Sequence, residues 1–297
     1  MFVNRIIYQL YSMARWIART LGFIKPLRKY LGPLTGRLMF DMFSYGNKQI
    51  MVRGHVMKLA AQGRFPPANM LRDNYEKQTT ELFERIVKPG MVVFDIGAHV
   101  GYYTLLAARQ IGDTGEVHAF EPEPSNFNLL AQNVEFNNYQ NVECVNKVVS
   151  NDTGSTELFL TSLDNGRYSI YNHGLPKKRS VLTQSISLDD YVNEKNLTKI
   201  DLIKVDVEGA ETDVLNGAVK LLNNRNVRNV IIEFNPGLLQ NAGVSPREFL
   251  VKPSSWRFNI SYIDEDKGLL HLPKDDVDSF IGELLKNEAS VNLFWTQ

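Results

Sequence analysis

The stretch VFDIGAHVGYYTLLAAR, Val93 to Arg109, decides the fold. An apolar run closes on a carboxylate, Asp95, breaks at a turn holding Gly97 and Gly101, and resumes with apolar residues at helical spacing. That order reads as strand, turn and helix, a unit of sheets whose parallel strands are covered by helices. In such open sheets ligands bind beyond the carboxyl ends of the strands. The turn from Asp95 to Gly101 is therefore the first place to seek a ligand.

Its spacing narrows the ligand. A dinucleotide turn reads G-x-G-x-x-G, whereas this one reads D-x-G-x-x-x-G, with Ala98 and His99 where a middle glycine would stand. A carboxylate two residues before the first glycine would repel a pyrophosphate and suits a ligand carrying positive charge. S-adenosylmethionine, with its ammonium and sulfonium, is such a ligand. Further on, AFEPEPSNF places Glu121 at the end of the next apolar run, where a carboxylate can accept hydrogen bonds from ribose hydroxyls. Dinucleotide folds share that second feature, so Asp95 is the discriminating residue. The competing reading makes both carboxylates caps of the turns that follow them, and both glycines aids to helix–strand packing.

Working outward, Tyr75 to Val87 is helical and stops at Pro89-Gly90. Strands are expected at Met91 to Phe94, Glu116 to Phe120 and Asn141 to Val149, and helices at Gly101 to Gln110 and from Ser125, as cap, to about Phe136. An interruption at about 150–190 follows, with strands in GSTELFLT and VLTQSISLDDYV around a polar loop. The alternation returns in IDLIKVDVEGAETDVLNGAVKLL and NVIIEFNP, and two more strands read in RFNISYID and VNLFWT. The expected fold is α/β, a Rossmann-like mostly parallel sheet with helices on both faces, occupying 75–297.

The chain has 297 residues, 43% of them hydrophobic, enough for a full core. Its single cysteine, Cys144, leaves no intramolecular disulfide and no cysteine-rich zinc site, and reads as a small buried hydrophobe in a reducing, cytoplasmic setting. A formal net charge of zero lends no support to a nucleic-acid partner. Charge is uneven, however: residues 1–40 hold seven of the 33 Lys and Arg and no Asp or Glu. Residues 1–74 read as a basic helical extension. Its apolar positions, Ile6, Leu10, Ala14, Ile17 and Leu21, make too short a run to span a bilayer. Two roles stay open for residues 1–40: packing on the core or a partner, which the interrupted apolar face favours, and peripheral contact with the inner face of an anionic membrane.

Four segments in order, VFDIGAHVGYYTLLAA, FEPEPSNFNLLAQNV, LIKVDVEGAETDVLNGA and VIIEFNP, together resemble the FkbM-type methyltransferases, a branch of the class I S-adenosylmethionine-dependent enzymes. The likeness covers Tyr75 to Pro236. It implies a seven-stranded sheet whose last strand, Val291 to Thr296 here, is antiparallel. It places Asp95, Gly97 and Gly101 at the methionine end of the cofactor, Glu121 at the ribose and the segment around Val148 at the adenine, with His99 and Tyr102 also expected at the cofactor. The family commonly has Asn where this chain has His99. Members act mainly as O-methyltransferases on sugars and natural products, which implies a hydroxyl on a carbohydrate, glycolipid or similar small acceptor.

A hydroxyl acceptor profits from a base. The candidates follow the strand in KVDVEGAE: Asp206 at the strand end and Glu208 in the turn, with Lys204 on the same strand face as Asp206. Glu211 reads instead as a carboxylate favoured by a helix N-terminus. Glu233 and Asn235, ending the next strand, and Arg167 and Tyr168, in the interruption, are candidates for holding the acceptor. His173 reads as an ordinary loop histidine, and no histidine pair or cysteine cluster points to a metal. The rival functions are an N-methyltransferase or nucleic-acid methyltransferase of the same fold, and a non-catalytic module that keeps the cofactor pocket. Against the usual amino-directed enzymes, the strand ends in DVEG rather than a D/N-P-P-Y motif.

Overall fold

The computed structural model describes residues 49–58, 70, 74–161, 168–174, 177–272 and 276–297. The basic stretch 1–40 and Arg167 lie outside the described residues.

The chain enters with a β-hairpin, β1 (Gln49–Val52) and β2 (His55–Lys58), antiparallel around Arg53 and Gly54. These ten residues correct the expectation of a helical extension through residue 74. The hairpin docks as an extended ladder on one helix, where Asn137 and Asn133 accept from the backbone N–H of Val56 and Lys58 at 2.9 and 2.6 Å.

Next come α1 (Lys77–Ile86), β3 (Val92–Ile96), α2 (Tyr102–Ile111), β4 (Glu116–Phe120), α3 (Pro124–Phe136) and β5 (Val142–Val145). The cap of α3 is Glu123, not Ser125: its side chain accepts from the Asn126 amide, and Pro124 takes the first helical position, where no N–H is missed. After two residues the chain starts a second sheet, β6 (Val148–Val149), β7 (Gly154–Thr161) and β8 (Lys177–Ile186), in order β6-β8-β7. The single strand expected over Asn141 to Val149 is thus split between two sheets. The main sheet resumes through α4 (Leu188–Lys195), β9 (Ile200–Val205), α5 (Glu211–Asn216), α6 (Val219–Asn223), β10 (Val227–Phe234), α7 (Pro236–Asn241) and α8 (Pro246–Val251). It closes with β11 (Asn259–Asp264), β12 (Gly268–His271), α9 (Val277–Lys286) and β13 (Val291–Thr296).

The main sheet has the order β12-β11-β13-β10-β9-β3-β4-β5, with β13 antiparallel to both neighbours. The expected seven strands and antiparallel last strand are present. An eighth, β12, pairs antiparallel with β11 at the edge. Strand residues alternate between two cores. Val93, Leu202 and Ile231 face one with Leu105 and Leu130, while Phe94, Ile203 and Ile232 face the other with Tyr191, Leu215 and Phe249. Both faces are covered, which is why the central strands read as nearly unbroken apolar runs.

Candidate cofactor and acceptor site

The turn after β3 is held by the end of β4. Gly97 and Ala98 donate their N–H groups to the Phe120 carbonyl at 3.0 and 2.9 Å, and His99 donates to Glu121 Oε2 at 2.9 Å. Three successive amides are thus spent on the protein itself, so this turn offers them to no phosphate. His99 adopts φ +52°, the left-handed region that Asn, Asp and His tolerate best among non-glycine residues. That shared tolerance accounts for His standing where the family's Asn does. Gly97 has φ +82°, and a Cβ there would lie 1.9 Å from the Asp206 carbonyl oxygen. Its bareness lets the turns after β3 and β9 abut, a junction closed by the Asp206 N–H donating to the Ile96 carbonyl at 2.9 Å.

At the carboxyl edge of β3, β4 and β9 lies an open cleft of about 580 Å³. Ile96, Phe120, Val148, Val149, Leu158 and Ile170 give it apolar walls. Its ionisable lining is Glu121, Asp206, Glu208, His99 and Lys147, three carboxylates against one lysine. An acidic cleft with apolar walls fits a cationic nucleoside better than a dinucleotide. Glu121 is buried; it accepts from the Glu123 amide at 3.0 Å and from the His99 amide, and the Asn126 side chain also hydrogen-bonds its carboxyl. Burial pushes its carboxyl up to about 7, against the pull of those two amides. A carboxylate has about four lone-pair sites, so Glu121 keeps capacity to accept from a ribose hydroxyl.

Of the residues expected at the cofactor, Gly97, His99, Glu121 and Val148 line this cleft, and Asp95, Gly101 and Tyr102 do not. Asp95 faces α2, where it accepts from Thr104 Oγ1 at 2.6 Å and is only 3% exposed. Burial raises its carboxyl pKa, and neighbouring Lys204 and Thr104 oppose that. Gly101 packs toward Leu130, and Tyr102 lies in the α1–α2 interface with its hydroxyl 3.3 Å from Thr80 Oγ1.

Both residues proposed for chemistry, Asp206 and Glu208, line the cleft, as does Tyr168. Lys204, 2% exposed, bonds Asp206 Oδ2 at 3.1 Å and sits 4.6 Å from the centre of the Tyr103 ring. Burial alone would lower its pKa, but the carboxylates of Asp206, Glu76 and Asp95 outweigh that and hold it charged. Glu233 and Asn235 stay outside the cleft. Glu233, at the end of β10, has its carboxyl raised by burial and then by Asp206, Glu208 and Glu211. Asn235 caps α7 by accepting from the Leu238 amide at 3.2 Å. Burial likewise pushes Glu211 up to about 7 while it accepts from the Gly209 amide.

Sequence reasoning missed Asn126, Lys147, Leu158, Ser169 and Ile170 on the cleft wall. It also missed His173, whose Nε2 lies 2.8 Å from the Glu208 carbonyl oxygen. Only the alternation of GSTELFLT pointed at Leu158; the rest needs the second sheet in place. Among the described residues, no group of three or more His, Cys, Asp or Glu is placed to hold a metal ion.

The strand order, the antiparallel β13 and this acidic, apolar-walled cleft define a class I S-adenosylmethionine-dependent methyltransferase fold. Residues 95–256 match the methyltransferase FkbM domain, and the chain belongs to that family. It is 28% identical over 158 residues to the hexuronic acid methyltransferase AglP of Haloferax volcanii, covering 53% of this chain and 59% of that protein. It is 29% identical over 143 residues to Methyltransferase 1 of Beauveria bassiana, covering 42% and 57%. With the 31-O-demethyl-FK506 methyltransferase FkbM of Streptomyces tacrolimicus it shares 28% over 159 residues, covering 44% and 60%. The chain therefore spans less than two thirds of each of these relatives.

Proposed function

We propose that this protein transfers a methyl group from S-adenosylmethionine to a hydroxyl of a carbohydrate or similarly hydroxylated small acceptor. The observation that carries the reading is that one cleft gathers Glu121, suited to a ribose, with Asp206 and Glu208, suited to a hydroxyl. The relatives named for a hexuronic acid and for a 31-O-demethyl natural product support that acceptor class. S-adenosylmethionine supplies a methyl carbon already activated by its sulfonium. Glu121 would hold the ribose, and Ile96, Phe120, Val148 and Leu158 would enclose the base.

The protein's remaining tasks are to align the acceptor, take its proton and keep water out. Asp206 Oδ2 is committed to Lys204, so Asp206 serves best as an oriented acceptor of the substrate hydroxyl's neighbours. Glu208 is the proposed base. Tyr168, Ser169 and Ile170 bring the second sheet's edge over the cleft and reduce its opening to solvent. No helix among the described residues is long and apolar enough to cross a membrane. The seven basic residues in 1–40 would suit an acceptor presented at an anionic surface, and sedimentation with anionic liposomes, with and without that stretch, tests this.

The direct test uses methyl-labelled S-adenosylmethionine with a panel of hexoses, hexuronic acids and polyketide alcohols. Alkali-stable label on saccharide or alcohol is expected. Label recovered only in protein or RNA would overturn the acceptor class. In Glu208→Gln, transfer should fall about 100-fold or more while S-adenosylhomocysteine binds as in the wild type; unaltered transfer would remove Glu208 as the base.

A further inference from the structure

We propose that His173 is the positioning residue of this site, its imidazole holding the Glu208–Gly209 turn so that the Glu208 carboxylate is presented to the cleft. The inference rests on the reading of Glu208 as the group that serves the acceptor. Its ground is geometric. Glu208 has φ +52°, a left-handed backbone that is strained for a non-glycine residue and persists only where neighbours impose it. His173 Nε2 lies 2.8 Å from the Glu208 carbonyl oxygen, which can only accept, so Nε2 carries the proton and donates. The ring then lies against Gly209: a Cβ at that residue would meet His173 Cε1 at 2.8 Å and Nε2 at 2.9 Å. Nδ1 is buried with no hydrogen-bond partner among the described residues, which leaves the ring's other face without a competing anchor.

Residues 168–174, which carry His173, are fixed to the rest of the chain at two further points and braced once within. Ser169 pairs with Phe159 of β7 through backbone bonds of 2.8 and 3.3 Å. Ser169 Oγ also lies 3.3 Å from His173 Nε2. Tyr171 donates its hydroxyl to Asp213 in α5 at 2.8 Å, and burial with that bond pushes its phenol up to about 12. Residues 168–174 therefore line the cleft at one end through Tyr168, Ser169 and Ile170, and clamp the turn after β9 at the other. A displaced carboxylate is costly because proton transfer needs hydrogen-bond reach.

His173→Ala and His173→Gln in the full chain test this, since the glutamine amide keeps a donor near the Nε2 position. Expected for His173→Ala is a 10- to 100-fold lower kcat, with KM and the calorimetric Kd for S-adenosylhomocysteine changed less than threefold. His173→Gln should recover most of that loss. Hydrogen exchange of the 206–213 peptide, which needs no acceptor, should quicken at least tenfold in His173→Ala and stay near wild type in His173→Gln. Long-range ¹⁵N spectra should show the Nε2–H tautomer. Wild-type kcat in the alanine variant, no rescue by glutamine, unchanged exchange or an Nδ1–H tautomer would each overturn the proposal. A wild-type protein inactive on every acceptor would instead sink the methyl-transfer reading, with the exchange and tautomer results still deciding whether the clamp exists.

Discussion

The turns after β3 and β9 share one design and serve different ends. Each follows a buried strand, carries a carboxylate near the strand end, and uses a non-glycine residue at φ +52°, His99 or Glu208, beside glycines at positive φ. They differ by two positions of register. Asp95 pairs with Lys204 across the sheet and Ile96 with Val205, so Asp206 stands one position beyond the last pair. Asp95, still within its strand, is taken by Thr104 and the helical layer, whereas Asp206, past its strand, reaches the cleft. Both carboxylates lie on the face that carries Lys204, so it is their place relative to the strand end that makes one a scaffold carboxylate and the other a cleft carboxylate.

The severest way to break this pairing is at its contact point. Gly97→Ala adds a Cβ against the Asp206 carbonyl and an unfavourable φ, and should cost about 3 kcal/mol or more. At roughly 2–4 °C per kcal/mol, calorimetry should show the melting temperature down by about 10 °C, with S-adenosylhomocysteine binding lost. A melting temperature within 2 °C of wild type, on the same scale, would mean the turns do not abut.

A second measurement isolates Glu121. Ribose hydroxyls donate to the ionised carboxylate, which is largely protonated below about 7. Calorimetric affinity for S-adenosylhomocysteine should therefore fall about tenfold per pH unit below that value, and Glu121→Gln should bind weakly and without this slope. Stability runs the other way. The folded protein holds protons on Glu121 and Glu211 more tightly than the unfolded chain, whose carboxyls titrate near the usual 4.5. Their contribution is full below that ordinary value and is lost as pH rises through about 7. The unliganded protein should melt lower at pH 8 than at pH 6; the opposite order would show that these carboxyls are not raised.

The mildest change sharpens the contrast. Thr104→Val removes the buried bond to Asp95 and should cost about 1–3 kcal/mol while cofactor affinity stays within twofold. Tenfold weaker binding of S-adenosylhomocysteine would give Asp95 a direct part at the cofactor.

The strand–turn–helix around Asp95 and the carboxylate of Glu121 at the end of the next strand were legible because both depend on local pattern. That Asp95 would face α2 was not, since it depends on which strand lies alongside, and Lys204 is more than a hundred residues away. Val148 lines the cleft, but the sequence read it as part of one long strand. The apolar alternation of 141–149 hides the handover after Val145, which only a second sheet reveals. The hairpin at 49–58 went unseen because four-residue strands around Arg53-Gly54 carry no lasting period. His173 looked idle for a related reason: its worth comes from Gly209, a neighbour in space alone.

The handover between β5 and β6 has a consequence for the shape of the cleft. Two residues, Asn146 and Lys147, separate the sheets, and Asn146 pins the crossing by donating to the Glu121 and Pro122 carbonyls at 2.8 and 3.1 Å. The second sheet thus leaves the main sheet at a pinned crossing beside Glu121 and is tied back to it through Tyr171 and His173. One short crossing of two residues therefore sets where the second sheet stands over the cleft, so a change in its length would shift Val148, Leu158 and Ile170 together.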